Sequence, residues 1–225
     1  MSPHADSVTR PVPDTKRERL AELLEHGASM ARTYPLSFAQ QRLWFLDQLN
    51  PGNPFYSISQ TMQLDFPIDS GVLTRALNEM VSRHDALRTT FRSVDGRPVQ
   101  VVAPALALVV AVMDLRHLGP EAAARAREIA TVEARTTFDL TRGPLLRVRL
   151  IRVGAARSVL TLTIHHIVSD GWSMEVFFKE LATLYEAYAL GKPSPLAPLT
   201  VQYPDFAAWQ RSPPSLERIE AQVGY

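Results

Sequence analysis

Cysteine is absent from all 225 residues. A disulfide framework, a thiolate zinc site, an iron–sulfur cluster and a cysteine nucleophile are therefore excluded. An excess of charge is absent too. The 24 basic and 23 acidic side chains leave a net charge of +1, which gives no reason to invoke nucleic acid or an anionic membrane as a partner. Long hydrophobic runs are missing as well. No stretch approaches the roughly 20 apolar residues of a membrane span. The opening MSPHADSVTRPVPDTKRERL carries no apolar signal core. No internal repeat or long low-complexity run occurs. The expectation is a soluble, cytoplasmic protein. Hydrophobic residues make up 46% of the chain, enough for the core of one domain with appendages.

Proline marks the boundaries. Pro3, Pro11 and Pro13 sit in the first segment, and Pro193, Pro195, Pro198, Pro204, Pro213 and Pro214 crowd the last. Three parts are expected: an extension over 1–32, a folded lobe over 33–190, and a partly extended connector over 191–225. Within the extension, Leu20, Leu23, Leu24 and Met30 give an amphipathic helix over about 14–31. It either packs on its own domain or docks another subunit.

Ser37 followed by Gln40 is a capping-box pattern. Phe38, Leu43, Phe45, Leu46 and Leu49 then predict a helix with a broad apolar face, ended by Asn50-Pro51-Gly52. Trp44, Phe45 and Leu46 are expected in the core. From Tyr56 to Phe66 the period changes to two, predicting a half-buried strand. Asp69 caps a helix that turns Val72, Leu73, Ala76, Leu77, Met80 and Val81 inward. Strands follow at 87–94 and 97–102, joined by the hairpin signal Asp95-Gly96. A further strand is expected near 107–113, then an alanine-rich helix from Gly119-Pro120 to about Thr137. Strands at 145–153 and 158–166 precede a long helix at about 172–190, stopped by Gly191. The pattern predicts an α/β layered sandwich.

The most informative stretch is Thr163-Ile164-His165-His166-Ile167-Val168-Ser169-Asp170-Gly171-Trp172. A strand runs into two histidines, then a loop bends at Gly171 into a helix. Histidine at the exit of a rigid strand is well aimed, and its titration range suits proton transfer near neutrality. A metal site is disfavoured, because neighbours on a strand point to opposite faces. Two other accounts stay open from the residues alone. His165, His166 and Asp170 are structural, with Asp170 capping the helix, or a histidine acts on a nucleophile supplied by substrate. Ser169 and Ser173 lack the G-x-S-x-G elbow of a serine nucleophile.

His165-His166-Ile-Val-Ser-Asp170-Gly171 resembles the HHxxxDG signature of the condensation-domain family of nonribosomal peptide synthetases, related to chloramphenicol acetyltransferase. Ser37-Phe-Ala-Gln-Gln-Arg42-Leu-Trp44-Phe-Leu46 resembles that family's SxAQxRLWxL opening. Arg83-His84-Asp-Ala-Leu87-Arg88-Thr-Thr-Phe91 resembles its RHExLRTxF motif, with Asp85 where glutamate is common. Tyr203-Pro-Asp205-Phe-Ala-Ala-Trp209 resembles a tyrosine–aspartate–tryptophan motif near the lobe junction.

The resemblance implies a chloramphenicol acetyltransferase-like layered sandwich with a mixed sheet packed with helices. It would be one lobe of a two-lobed, V-shaped domain, with the site in a tunnel between lobes. It implies an acyltransferase-type enzyme in natural-product, including antibiotic, biosynthesis. The amine of an acceptor aminoacyl thioester would attack a donor acyl or peptidyl thioester, here an L-configured donor. No cofactor would bind directly; both substrates would arrive on phosphopantetheine arms. The implied partners are donor and acceptor peptidyl carrier domains, the second lobe, and an upstream synthetase subunit at the N-terminal helix. His166 would act on the amine, His165 would support the loop, and Asp170 would pair with an arginine. Gly171 would give turn freedom. Ser169, Trp172, Arg83 and Arg88 would contact substrate or support the structure, with the packing role favoured for the two arginines. Most of a second lobe would be missing, so the piece would fold but be nearly inactive alone, with some self-association. Within the wider HHxxxDG group, epimerisation, cyclisation or ester formation are the alternatives, as is a non-catalytic carrier-docking lobe. The intact His165 argues against cyclisation.

Overall fold

The computed structural model describes residues 30–215 together with Glu217 and Gln222. The helix expected at 14–31 and its docking role fall, apart from its last two residues, outside the described residues. Among the described residues, seven strands form two sheets, with five α-helices around them. In chain order these are β1 (Arg32–Pro35), α1 (Phe38–Leu49), β2 (Ser57–Leu64), α2 (Ser70–Arg83), β3 (Thr89–Val94), β4 (Arg97–Val102) and β5 (Ala111–Asp114). Then follow α3 (Ala122–Arg135), β6 (Leu146–Arg152), β7 (Ser158–His165), α4 (Gly171–Ala189) and α5 (Tyr203–Gln210).

The smaller sheet has the order β1-β4-β3 and the larger β2-β7-β6-β5. All pairs are antiparallel except β5 with β6. The fold is therefore α/β with a mixed sheet packed by helices. β7 is a central strand of the larger sheet, and all eight of its residues are buried. Leu160, Leu162 and Ile164 enter the main core with Leu77, Met80 and Leu184 of α2 and α4. Val159 points to the opposite face and packs with Ala122 and Ala126 of α3. Side chains alternate along a strand, so Thr161, Thr163 and His165 belong to that second face. Burying a leucine of this kind contributes about 1.5–3 kcal/mol, so the strand that ends at His165 is among the most firmly anchored elements.

Local rules explain most boundaries. Ser37 and Gln40 form both bonds of the capping box. Asp95 and Gly96 take φ of 50° and 75°, the positive pair that a type I′ hairpin turn needs. Differences from expectation have physical causes. The strand expected from 107 begins at Ala111, because Asn78 holds Leu108 instead: its amide nitrogen donates to the Leu108 carbonyl and its oxygen accepts the Leu108 N–H. α3 starts at Ala122, since Gly119 at φ 54° interrupts the 3-10 turn over Arg116–Glu121 that precedes it.

Two expectations fail more substantially. The apolar face of α1 is largely uncovered: Phe45 is 59% exposed and Leu49 65%, and Gln40 is the helix's one buried residue. Phe45 is thus not core, while Leu43 and Trp44 pack only at its margin. The connector is also more structured than its prolines suggest. α5 folds within it, and Ala207 is fully buried. Pro204 lies in the first turn, where a missing N–H costs nothing, and Asp205 accepts the N–H of Gln202. α5 is tied back to the lobe by Tyr203 Oη to Ser37 Oγ at 2.9 Å and by Gln202 to the Arg83 carbonyl and the Asp85 N–H.

Candidate active site

β7 delivers the histidine pair. Its backbone is held to the last residue, with the His165 N–H donating to the Leu145 carbonyl at 3.0 Å and Ser57 of β2 opposite on the other side. The strand ends there, and His166–Val168 form a 3-10 turn. Across this break His165 is buried and His166 exposed.

His165 is buried, at 3% exposure. Its Nδ1 accepts the N–H of Ile167 at 3.1 Å. Its ring meets Phe138 edge-on at 6.2 Å between centroids, and the Arg147 guanidinium covers Phe138 at 3.8 Å. Burial, with a smaller contribution from His166 beside it, pushes the His165 pKa down to about 4. The ring is therefore neutral at pH 7 and already used as an acceptor.

His166 is exposed. It lines a cavity of about 350 Å³ whose walls include Leu43 of α1, Met80 of α2, Leu87, and Phe177 of α4. Ile167 and Val168, the next two residues, are buried in the main core and pin the turn. Ser169 is buried, its hydroxyl donating to Met174 Sδ at 3.4 Å, so it is spent on packing the loop against α4.

Asp170 is the N-cap of α4. Its Oδ1 accepts from the Ser173 N–H at 2.8 Å and from the Ser173 hydroxyl at 2.6 Å. These two bonds hold the carboxyl below the usual carboxylate range, with His166 contributing less. No arginine pairs with Asp170 among the described residues. Gly171 does not use the freedom expected of it. It is not among the residues of positive φ, and a Cβ placed there would meet nothing within 4 Å. It is simply the first residue of a capped helix, with open space in front. Trp172 is 76% exposed beside the cavity.

Arg83 and Arg88 are not at the cavity. Arg83 binds both oxygens of Glu180 and the Ala197 carbonyl. Arg88 donates to the carbonyls of Val81, Ser82 and Ala103 and to Asp85. Both fix α2 to its surroundings.

Residues not singled out as site residues in the sequence also face the cavity: Gln40, His84 and Tyr203. Gln40, 2% exposed, accepts the Ser37 N–H at Oε1 and reaches the Ile167 carbonyl at 3.5 Å through Nε2. Their positions inside the quoted motifs were the available signal. No group of three or more histidine and acidic side chains fit to hold a metal occurs among the described residues. No helix there is long and apolar enough to cross a membrane.

The fold is a chloramphenicol acetyltransferase-like α/β sandwich with a histidine loop at a strand exit, as its likeness to solved condensation domains shows, and comparisons with known proteins narrow the class. The family model of the condensation domain matches residues 30–225, and the chain belongs to that family. It is similar to a linear gramicidin synthase of Brevibacillus parabrevis, at 46% identity over 192 residues, covering 85% of this chain and 2% of that protein. A chondramide synthase of Chondromyces crocatus is 46% identical over 198 residues, 87% of this chain and 5% of the relative. Among solved structures, the starter condensation domain of rhizomide synthetase RzmA aligns with a TM-score of 0.75 at 26% identity, over 86% of this chain and 49% of that one. The first condensation domain of the CDA synthetase gives 0.71 at 27% identity, over 80% and 47%. The chain thus spans about half of these solved domains and a few per cent of the synthetases.

Proposed function

We propose that this chain is the N-terminal lobe of a nonribosomal peptide synthetase condensation domain, and that the completed domain forms an amide between two carrier-bound substrates. The observation that carries this reading is the asymmetry of the histidine pair: His165 is neutral, buried and occupied, while His166 faces an open cavity. The acceptor amine attacks the donor thioester carbonyl. A C–N bond forms, the C–S bond breaks, the donor thiol leaves on its phosphopantetheine arm, and the amine gives up a proton. His166 positions the amine or takes that proton. His165 and the cap at Asp170 hold the turn that aims it.

The partners in this reading are donor and acceptor peptidyl carrier domains, the second lobe, and an upstream synthetase protein meeting residues 14–31. The half-length coverage of solved condensation domains supports a second lobe supplying the rest of the tunnel. On that basis the lobe alone folds but does not condense. The context Ser169-Asp170-Gly171-Trp172-Ser173 supports an L-configured donor.

The test is an intact-mass assay on the two-lobed protein with both carriers loaded. Condensed product on the acceptor carrier is the expected result. Inversion of the donor α-carbon without acceptor consumption would indicate epimerisation, and carrier binding without any product a docking lobe. Full-rate condensation by the lobe alone would overturn the need for a second lobe.

A further inference from the structure

The cavity beneath the histidine turn is faced by a second imidazole. His84 lies just past the end of α2 and lines the same space as His166. Its Nε2 is 2.7 Å from Glu180 Oε2. Glu180, on α4, is itself fixed by Arg83 Nε, at 3.2 and 3.3 Å to its two oxygens. The carboxylate is only 13% exposed and the imidazole 23%, so the ring is held at one nitrogen by a shielded, braced partner. The carboxylate contact places a proton on Nε2 as the donor, and in the tautomer with that one proton Nδ1 is the acceptor. That nitrogen has no side-chain or backbone partner among the described residues.

The rest of the wall decides what such an acceptor serves. Leu43, Met80, Leu87, Val168 and Phe177 make it mainly apolar. At about 350 Å³, the space falls at the small end of ligand pockets, which run from about 300 to 1,000 Å³. Of the other polar lining groups, Gln40, Tyr203, Ser169, Asp170 and Ser173 are bonded within the protein and His166 is assigned to the amine, so a mainly apolar wall with one remaining oriented acceptor fits a hydrophobic body bearing a single hydrogen-bonding atom. If His166 handles the attacking amine, the carbon next to that amine is the acceptor's Cα. Its side chain is then the group closest to this space.

We propose that His84, braced by Glu180, is a substrate-contacting specificity residue. It accepts a hydrogen bond from an acceptor side chain that is apolar in body and carries one O–H or N–H donor, of the phenol or indole kind. The inference rests on the condensation reading and adds the class of acceptor. It also explains why His84, at the cavity wall, is joined to a glutamate far away in sequence.

The experiment uses the full synthetase protein with a fixed loaded donor, and acceptor carriers bearing tyrosyl, phenylalanyl, tryptophanyl and leucyl groups. The wild type is expected to favour tyrosyl over phenylalanyl by about tenfold or more in kcat/KM, because an acceptor left unpaired penalises the analogue lacking the donor. In His84→Phe the tyrosyl-to-phenylalanyl ratio is expected to fall towards one, through the tyrosyl KM. Glu180→Gln, which keeps the size of the brace, should lower the ratio in the same direction should His84→Phe fold poorly. Equal use of tyrosyl and phenylalanyl acceptors by the wild type overturns the inference, as does an unchanged ratio in both variants. Failure to condense any acceptor, with folding intact, instead overturns the condensation reading on which it rests.

Discussion

His165 turns Nδ1 back to accept the N–H of Ile167, two residues further on, at 3.1 Å. That one bond assigns different work to adjacent histidines. It consumes the lone pair of the buried ring, ends β7, and starts the 3-10 turn that presents His166 to the cavity.

The two rings should therefore separate in stability measurements. His165→Ala removes a packed ring and leaves the Ile167 N–H unpaired in the interior, at a cost of about 2–4 kcal/mol. His166→Ala, at an exposed position, should change stability by about 0.5 kcal/mol or less. Urea unfolding of the two variants checks this. Equal losses would mean that both rings are structural.

Stability should also fall on mild acidification because of His165. The unfolded ring binds a proton near its ordinary value of 6.5, whereas the folded ring does so only at about 4. Between those values the unfolded state holds more protons, so lowering the pH favours unfolding. Stability from this group is full above about pH 6.5 and lost progressively towards pH 4, on the order of 3 kcal/mol in all. Urea midpoints from pH 7 to 4 should show the decline, and His165→Gln should remove this part of it. Asp170 acts at lower pH, since its depressed carboxyl loses its contribution only as acid protonates it.

Asp170 separates capping from charge. Asp170→Ala should cost about 1 kcal/mol through loss of the N-cap of α4, and should slow turnover by loosening the loop. Asp170→Asn keeps an acceptor for Ser173 and should restore most of the stability. If Asp170→Asn retains stability but loses turnover, the negative charge itself matters, as expected for an arginine partner outside the described residues.

Arg88 supports the neighbouring motif from within. Asp85, 3% exposed, is paired with Arg88 and with Arg32 at 2.7 Å. Arg88→Ala strands much of that buried charge and three carbonyl acceptors, and should destabilise by about 3–5 kcal/mol. Arg32→Ala, at a 51% exposed side chain, should cost about 1 kcal/mol or less. Chemical denaturation of both variants tests the difference.

Sequence patterns revealed what local rules govern. Ser37 and Gln40, Asp69, Asp95-Gly96 and Gly191 marked their helices and turn because each acts on backbone groups within a few residues. The alternation of β2 and the inward stripe of α2 were legible for the same reason. Which face of α1 meets the lobe was not. Phe45 and Leu49 have the right period for burial, but period says nothing about which surface is covered. The docking of α5 was hidden because Tyr203, Gln202 and Arg211 find Ser37, Asp85 and Leu36 across more than a hundred residues. In the site, the loop was readable from His165 to Asp170. The cavity wall was not, since His84 and Glu180 meet only after α2 packs on α4.

His166 is the group expected to act on the attacking amine. Single-turnover transfer between loaded carriers on the full two-lobed protein, followed by intact mass, tests it most directly in wild type against His166→Ala. Loss of condensed product by about a hundredfold or more, with thermal stability and carrier binding unchanged, is the expected result. Product formed at the wild-type rate by His166→Ala would contradict the mechanism and leave both histidines as parts of the scaffold.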